Sequence, residues 1–235
     1  MASQPDPSRE PHTPLSKERV LRAAINLADQ GGIESLSMRK VAQELGAGAM
    51  SLYHYVANKD DILDGIVDIV VSEMDVPSDG ADWKAAIRRS AISAYEVLSR
   101  HPWACALMMS VRVRPARLRY MESLLGRLRE AGFSAEITDH AYHALDSHII
   151  GFTLWETGYS AAMKGSPNLA ATFLRELPVV DFPYLAEHAQ QHMRRRRPDE
   201  EGDFEFGLDL ILNSLERLRL TVGPPEECPP NMAQP

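Results

Sequence analysis

Side chains that can bond to nucleic acid are concentrated in one short segment near residue 50. The segment contains Ala49, Met50, Ser51, Tyr53, His54 and Tyr55. Hydroxyl and imidazole groups bond to phosphate oxygens and base edges, and small or flexible apolar side chains pack on thymine methyl groups. Because two tyrosines are costly on a surface without a partner, we expect this segment to enter a major groove of double-stranded DNA.

Residues on either side of that segment add charge to the same surface. Ser37, Met38, Arg39 and Lys40 precede it, and Lys59 follows it. Guanidinium and ammonium groups bind phosphates, which fixes the register of a protein on the duplex. We therefore assign all five residues to the DNA contact, with phosphates held by Arg39 and Lys59. For Arg39 the alternative is a solvated helix charge that contacts nothing, as is common for surface arginines.

The apolar residues around these groups predict a helix-turn-helix. Ser37 can cap a first helix, because its hydroxyl can accept one of the unpaired amides. The buried face of this helix follows the i, i+3, i+4, i+7 spacing at Met38, Val41, Ala42 and Leu45. Gly46 then ends the helix, since glycine tolerates the left-handed conformation of a C-cap. A very short second helix is predicted over residues 49–56, with Leu52 and Val56 facing the core.

A second concentration of reactive side chains lies farther along the chain. It consists of Asp139, His140, His143, Asp146 and His148. Neighbours one helical turn apart could share a metal ion, and such a site would permit a small helical metal-dependent enzyme. However, His140 and His148 lie about 12 Å apart along a helix axis, too far to ligate one ion. The favoured alternative is a solvated or dimer-facing polar stripe, so no metal, cofactor or catalytic residue is assigned.

Composition bounds the class of protein. The chain has 235 residues, of which 44% are hydrophobic, enough for a folded core. A net charge of −8 argues against a protein that coats nucleic acid indiscriminately. Residues 15–59, however, include six lysines and arginines and only four acidic residues. Phosphate contacts must therefore come from individually placed side chains.

The cysteines and the first residues indicate a cellular location. The two cysteines, Cys105 and Cys228, have no metal-ligand spacing and predict neither a zinc site nor a disulfide framework, which fits a reducing cytoplasm. The first 14 residues contain four prolines and no apolar segment, so no signal peptide is expected. No apolar run reaches the length of about 18 residues that a membrane span requires.

The remaining periodicities are helical, which predicts an all-α fold. Helices are expected over residues 17–30, 58–74, 82–100, 102–109, 115–131, 134–162 and 204–222. The proline-interrupted stretch 166–203 is expected to be mobile.

The last of these helices has the clearest pattern for association. Apolar residues recur at alternating spacings of four and three, at Phe204, Leu208, Ile211, Leu215, Leu218 and Val222. This spacing is typical of a coiled-coil seam, and we assign the first five residues to a homodimer interface. An ordinary core helix is the alternative.

Several groups of residues resemble the tetracycline-repressor (TetR) family. Residues 36–42, 45–46, 51–56 and 58–59 read LSMRKVA, LG, SLYHYV and NK and resemble the DNA-binding domain of that family. Farther along, Arg114-Pro115, Gly132-Phe133-Ser134, Ser147-His148 and Gly207-Leu208 resemble the ligand-binding domain of the tetracycline repressor subgroup. The resemblance implies a two-fold dimer, formed through a four-helix bundle of the last helix and the long helix before it.

The resemblance also implies a regulatory cavity in the second domain. Pockets for drug-sized ligands are largely apolar with a few polar anchors. The candidates are Trp103, Met108, Met109, Arg112, Arg114, Phe133, His148, Phe152, Trp155 and Glu156. For each of them core packing is the alternative. Ser110 stands where the subgroup has its metal-binding histidine, so a magnesium-bound tetracycline is not expected as the ligand.

Together these observations predict a three-helix DNA-binding domain and a larger helical domain. The expected divisions are a disordered tail (1–14), the helix-turn-helix domain (15–60), a connecting helix and linker (61–80), a ligand-binding and dimerisation domain (81–222) and a second disordered tail (223–235). The predicted function is a cytoplasmic, homodimeric transcriptional repressor that a small apolar or drug-like inducer releases from a palindromic operator. The alternative function is the metal-dependent enzyme.

Overall fold

The structure, a computed structural model, describes residues 14–78, 82–109, 114–165, 169–193 and 202–221. These residues form helices and connecting turns, and no strand occurs among them, which confirms the all-α prediction. None of the helices in these ranges is long and apolar enough to cross a membrane. The chain divides into two compact units, Met1–Ile69 and Val70–Pro235.

The helices have the following bounds in chain order. They are α1 (Lys17–Gly31), α2 (Met38–Glu44), α3 (Ala49–Leu52), α4 (Lys59–Ser72), α5 (Trp83–Arg100), α6 (Trp103–Met108), α7 (Pro115–Glu130), α8 (Ala135–Gly165), α9 (Leu169–Glu176), α10 (Pro183–Met193) and α11 (Asp203–Thr221). A short 3-10 turn at Ile33–Ser35 follows α1.

The first unit is a small helical core around α1 and α4. Val20 and Ala24 on α1, and Ile62 and Ile66 on α4, are fully buried. The helices approach so closely at Gly65 that a methyl group there would lie 2.7 Å from Leu21 Cδ2.

A side-chain cap before α2 and a left-handed glycine after it define the first helix of the helix-turn-helix. The Lys40 amide donates to Ser37 Oγ at 3.3 Å, so Ser37 caps α2 as predicted. Gly46 has a φ of 62°, the left-handed conformation expected after the end of α2. The second helix is shorter than the predicted 49–56, because α3 ends at Leu52 and the chain continues in turns to Val56. Leu52 and Val56 are nevertheless both buried, as their spacing indicated.

The second unit packs α5, α7, α8 and α11 around one core. The fully buried side chains Ile87, Leu98, Leu128, Leu145, Phe204, Leu208 and Leu212 come from these four helices. Two ion pairs join α5 to α11. Lys84 Nζ lies 2.6 Å from Glu216 Oε2, and Arg88 Nε lies 2.8 Å from Asp209 Oδ1. These pairs fix the register of α11 against α5.

Helices α9 and α10 occupy a stretch in which the sequence analysis expected no helix. That prediction treats every proline as an interruption. Pro183, however, takes the first position of α10, where its missing amide proton costs nothing. Ala186 of α10 is buried, whereas Phe173 and Tyr184 are exposed.

Candidate functional site

Residues 49–55, which we expect to contact base edges and call the reading segment, expose most of their side chains around one buried leucine. Leu52 is fully buried, whereas the side chains of Met50, Tyr53 and Tyr55 are 77%, 50% and 37% exposed. Ala49, Ser51 and His54 are exposed as well. The Tyr55 amide donates to Leu52 O at 2.9 Å, which keeps the chain turning after α3 ends. The segment therefore presents hydroxyl, imidazole and apolar groups on one side of its anchor.

The charged residues of the same unit lie on α2 and at the start of α4. Arg39 and Lys40 are exposed on the first turn of α2, and Lys59 is half-buried at the first position of α4. Ser37 and Met38 are half-buried, and the Ser37 hydroxyl is occupied by its bond to the Lys40 amide. The bond with Lys40 makes Ser37 a structural cap of the helix that carries Arg39.

A carboxylate that the sequence analysis did not single out organises the start of α4. Asp61 Oδ2 accepts from the Ala57 amide at 3.0 Å, and Asp61 Oδ1 accepts from Lys17 Nζ at 3.2 Å. The Asp61 amide in turn donates to Asn58 Oδ1 at 2.9 Å. The Ala57 amide is the main cause of a lowered pKa of the Asp61 carboxyl, which burial opposes and Lys17 supports. The signal in the sequence was the capping pattern of Asn58 and Asp61 three residues apart.

In the second unit, four of the predicted ligand residues lie on neighbouring turns of α8 beside α5 and α11. His148 Nε2 donates to Phe204 O at 2.9 Å, and its ring stacks on the Phe204 ring with centroids 4.9 Å apart. Phe152 packs against Tyr95 and Phe204, with centroid distances of 5.8 and 5.6 Å. Phe152 also contacts Trp155, and Tyr95 bonds to Glu156, the two remaining residues of the four.

The outer end of this group combines an aromatic pair with a carboxylate. The Trp155 ring lies 5.6 Å from the Phe152 ring and 5.7 Å from the Tyr159 ring, and it is nearly parallel to the latter. The Tyr95 hydroxyl donates to Glu156 Oε2. Burial, followed by the Glu156 carboxylate, raises the pKa of the Tyr95 phenol to about 12, so the phenol remains protonated as the donor.

The structure does not bring Phe133 into this group. Its ring packs edge to face on Trp83 with centroids 5.0 Å apart, at the first residue of α5. Tyr95 is 12 residues farther along the same helix, or about 18 Å at the rise of an α-helix. Phe133 is therefore a core residue at the opposite end of α5 from this group, and its assignment to the ligand site stays a prediction.

Four of the other predicted ligand residues lie on α6, just after its end, or just before α7. Trp103 and Met108 are buried on α6, and Met109 is exposed just after it. Arg114 is buried and donates to Leu107 O at 2.9 Å. Arg112 lies outside the described residues.

The predicted dimer seam on α11 divides between two faces. Phe204 and Leu208 are completely covered by the chain's own core, so their assignment to a dimer interface is corrected. Leu215 is nearly covered and lies on the floor of an open groove of about 390 Å³ between α8 and α11. Ile211 and Leu218 line the same groove together with Ile137, His140, Ala141, Ala144, Leu210 and Ser214.

Two members of the Asp139 to His148 cluster bond outside it, Asp146 to Arg117 and His148 to the Phe204 carbonyl oxygen. Asp146 is held by Arg117 Nη2 at 2.7 Å, and His143 Nδ1 lies 2.9 Å from Asp139 O. Within the residues that the structure describes, no three metal-ligating side chains come together.

An exposed helix-turn-helix surface in one unit and a helical bundle in the other define a two-domain DNA-binding regulator. Residues 20–66 match the family model of bacterial regulatory proteins, tetR family, and residues 76–219 match that of the tetracyclin repressor-like C-terminal domain. The chain belongs to the TetR family.

Individual relatives agree with this membership. The HTH-type transcriptional repressor DrrR1 of Streptomyces coeruleorubidus is 33% identical over 223 residues, which cover 90% of this chain and 81% of that protein. The tetracycline repressor protein class D of Escherichia coli is 29% identical over 205 residues, which cover 86% and 89%. The crystal structure of ActR from Streptomyces coelicolor in complex with actinorhodin matches with a TM-score of 0.66 and 26% identity, covering 89% and 98%.

The family determines the class of function. Its members are transcriptional regulators that bind operator DNA as dimers and respond to small-molecule ligands, and this chain is such a regulator rather than an enzyme. The metal-dependent enzyme considered as the alternative is thereby set aside.

Proposed function

We propose that a homodimer of this chain represses transcription by reading a near-palindromic operator with the segment at residues 49–55. The observation that carries the proposal is the exposure of Met50, Tyr53 and Tyr55 around the buried Leu52. A buried anchor holds the segment rigidly, and rigid presentation lets side chains meet base edges in register.

Each predicted contact has a chemical role in this proposal. Arg39, Lys40 and Lys59 hold phosphates, and Ser37 maintains the helix that carries the first two. Tyr53 and Tyr55 bond to backbone or base edges. Ala49 and Met50 pack on thymine methyl groups, with Met38, Ser51 and His54 at the margins of the contact.

We place the dimer interface on the groove between α8 and α11. Its exposed leucines, Leu210 and Leu218, are 53% and 43% exposed in the single chain. A second copy related by a two-fold axis would cover them with the same face of its own helices. Two reading segments related by this axis would match half-sites about 34 to 36 Å apart.

We further propose that a small molecule bound at His148, Phe152, Trp155 and Glu156 releases the operator in the cytoplasm. The crystal structure of ActR holds actinorhodin, and the tetracycline repressor is named for its ligand. Release requires a ligand that prefers the protein arrangement with low DNA affinity. A coupling that weakens DNA binding about 5- to 150-fold is typical of such systems.

The experiment begins with selection of bound sequences from random duplex DNA, which supplies the operator. Tyr53→Ala and Tyr55→Ala should each weaken binding to it about tenfold or more, because each removes a contact to the duplex. Tyr184→Ala is the matched control, since Tyr184 is 85% exposed on α10. All three should unfold at nearly the parental temperature. Operator affinity that is unchanged in both of the first two variants would refute the assignment.

A further inference from the structure

The groove between α8 and α11, where we place the dimer interface, leads along both helices to a close contact. The groove is lined by Ala144 of α8 and by Ile211 of α11. One helical turn beyond Ala144 is His148, and one turn before Ile211 is Gly207. A methyl group at Gly207 would lie only 2.5 Å from His148 Cε1. The imidazole therefore fills the space that the missing side chain of Gly207 leaves between the two helices.

Two further contacts hold the imidazole at this position. His148 Nε2 lies 2.9 Å from Phe204 O, and because a carbonyl oxygen only accepts, Nε2 carries the proton of this bond. The imidazole also stacks on the Phe204 ring, with centroids 4.9 Å apart. Phe204 lies buried in the first turn of α11, and Leu210 farther along the same helix lines the groove. The position of α11 beside the groove therefore depends on His148.

The Phe204 carbonyl oxygen does not need His148 to be paired. In an α-helix the amide four residues later, here that of Leu208, donates to the same oxygen. The bond from His148 is thus a second bond to one acceptor. The imidazole can exchange Phe204 for another acceptor without leaving an unpaired carbonyl group in the core, which would otherwise oppose the exchange.

We propose that His148 couples the ligand site to dimerisation. Its bond to Phe204 keeps α8 and α11 at the spacing that a second copy fits, and a ligand whose acceptor atom takes the Nε2 proton weakens the dimer. This inference rests on the ligand site and the dimer interface proposed above, and it adds the way in which that site is regulated. By thermodynamic linkage, such a ligand binds the dimer more weakly than the protomer by the same factor.

The test removes the imidazole ring and then returns it as a free molecule. In full-length His148→Gly, the dimer dissociation constant measured by sedimentation should rise about tenfold, because a hydrogen bond and a ring contact are lost. Imidazole added at about pH 8.5, well above the ordinary pKa of an imidazole group, should fill the cavity and restore dimerisation. Neutral 1-methylimidazole has no N–H to donate and should restore it less. Parental dimerisation of His148→Gly, or equal rescue by the two molecules, would overturn the proposal.

The matched control is His143→Gly, the same substitution on the same helix. The His143 side chain is 68% exposed and contacts the Asp139 carbonyl oxygen of its own helix. The glycine lowers helix propensity equally in both variants. His143→Gly should dimerise nearly like the parent and should not respond to imidazole. A loss and a rescue equal to those of His148→Gly would assign the effect to the helix rather than to the contact with α11, and would contradict the coupling.

Gly207→Ala tests the same contact from the side of α11. The added methyl group would lie 2.5 Å from His148 Cε1, so the imidazole must move and the dimer should weaken. In the His148→Gly background the same methyl group meets no ring, and its additional effect on the dimer dissociation constant should be small. Fully additive effects of the two substitutions would show that Gly207 acts on the dimer without His148, which contradicts the proposal.

Leu218→Asp is measured alongside, so that the coupling and the interface can fail separately. A monomeric Leu218→Asp protein together with parental dimerisation of His148→Gly contradicts the coupling alone. A dimeric Leu218→Asp protein contradicts the interface, and the coupling through the groove fails with it. Where both variants lose the dimer, imidazole should restore operator affinity to His148→Gly but not to Leu218→Asp, as the coupling requires.

Discussion

A single carboxylate, Asp61, joins three parts of the DNA-binding unit. It accepts from the Ala57 amide before α4, bonds to Lys17 on α1, and lies in the first turn of the helix that carries Lys59. The first of these bonds is the main cause of its lowered pKa. Asp61 is therefore a positioning residue for the phosphate contact that we assign to Lys59.

We expect Asp61→Ala to destabilise the protein by about 1 kcal/mol, the usual effect of losing a helix-capping side chain, and to weaken operator binding. Asp61→Asn keeps an acceptor for the Ala57 amide and should cost less, because the pair with Lys17 is solvent-exposed. Denaturant unfolding and operator titration measure the two effects. Glu44→Gln, an exposed charge at the end of α2, serves as the control and should change neither.

The same carboxylate predicts a pH dependence. Since the folded-state pKa of Asp61 lies below its ordinary value of 3.8, its contribution is complete above the unfolded-state pKa. It disappears as the pH falls through the lower folded-state pKa. The free energy of unfolding should therefore decline less steeply below about pH 4 in Asp61→Asn than in the parent. Identical slopes would mean that Asp61 has the same pKa in both states.

Helices α1 and α4 meet at a glycine, and the space around it makes a sharp test of packing. A methyl group at Gly65 would lie 2.7 and 2.8 Å from the two terminal carbons of the buried Leu21. Gly65→Ala should destabilise the protein by about 1 to 3 kcal/mol, because overpacking outweighs the helix propensity that alanine adds.

Gly126→Ala is the matched comparison on α7, where nothing lies within 4 Å of an added methyl group. It should stabilise the protein by about 0.5 to 1 kcal/mol through helix propensity alone. Thermal or urea unfolding of both variants measures the difference. Stabilisation in both would show that Leu21 can move aside at little cost.

The elements themselves differed in how far the sequence could predict them. The cap at Ser37 and the turn at Gly46 are local chemistry, so residue type and spacing were sufficient to locate them. The two faces of α11 are not local. Phe204 and Leu218 belong to one seven-residue pattern, yet one is buried by the chain's own helices and the other is exposed. Periodicity shows that a face is apolar but does not show what covers it.

The candidate ligand residues lie in separate parts of the second unit for a related reason. Aromatic residues such as Phe133 and Phe152 look alike in a sequence, and only the packing of α5 separates the ends of the bundle at which they lie. The sequence does not indicate Tyr95, because its bond to Glu156 joins two helices that are far apart along the chain.

For the whole molecule, function depends on pairing two chains. We expect Leu218→Asp to split the dimer, because a buried unpaired charge in the proposed interface is costly. The protomer should remain folded, since Leu218 is 43% exposed in the single chain. Leu118→Asp on α7, with 48% exposure, is the control and should leave the dimer intact.

Sedimentation and operator titration measure the result of this substitution. The monomeric variant should lose most operator affinity, because one reading segment reaches only one half-site. In contrast, Leu208→Asp should prevent folding altogether, as its side chain is completely buried. A Leu218→Asp protein that remains dimeric and binds the operator like the parent would place the interface elsewhere.

The separation of core residues from exposed residues on α11 has a consequence when the gene of such a regulator is duplicated. Phe204, Leu208 and Leu212 hold the protomer together, while Leu210 and Leu218 lie on a separate exposed face. After a gene duplication, substitutions on the exposed face can stop two copies from exchanging subunits without weakening either fold. Each copy could then acquire its own operator and its own ligand, because a few side chains of one helix would prevent mixed dimers.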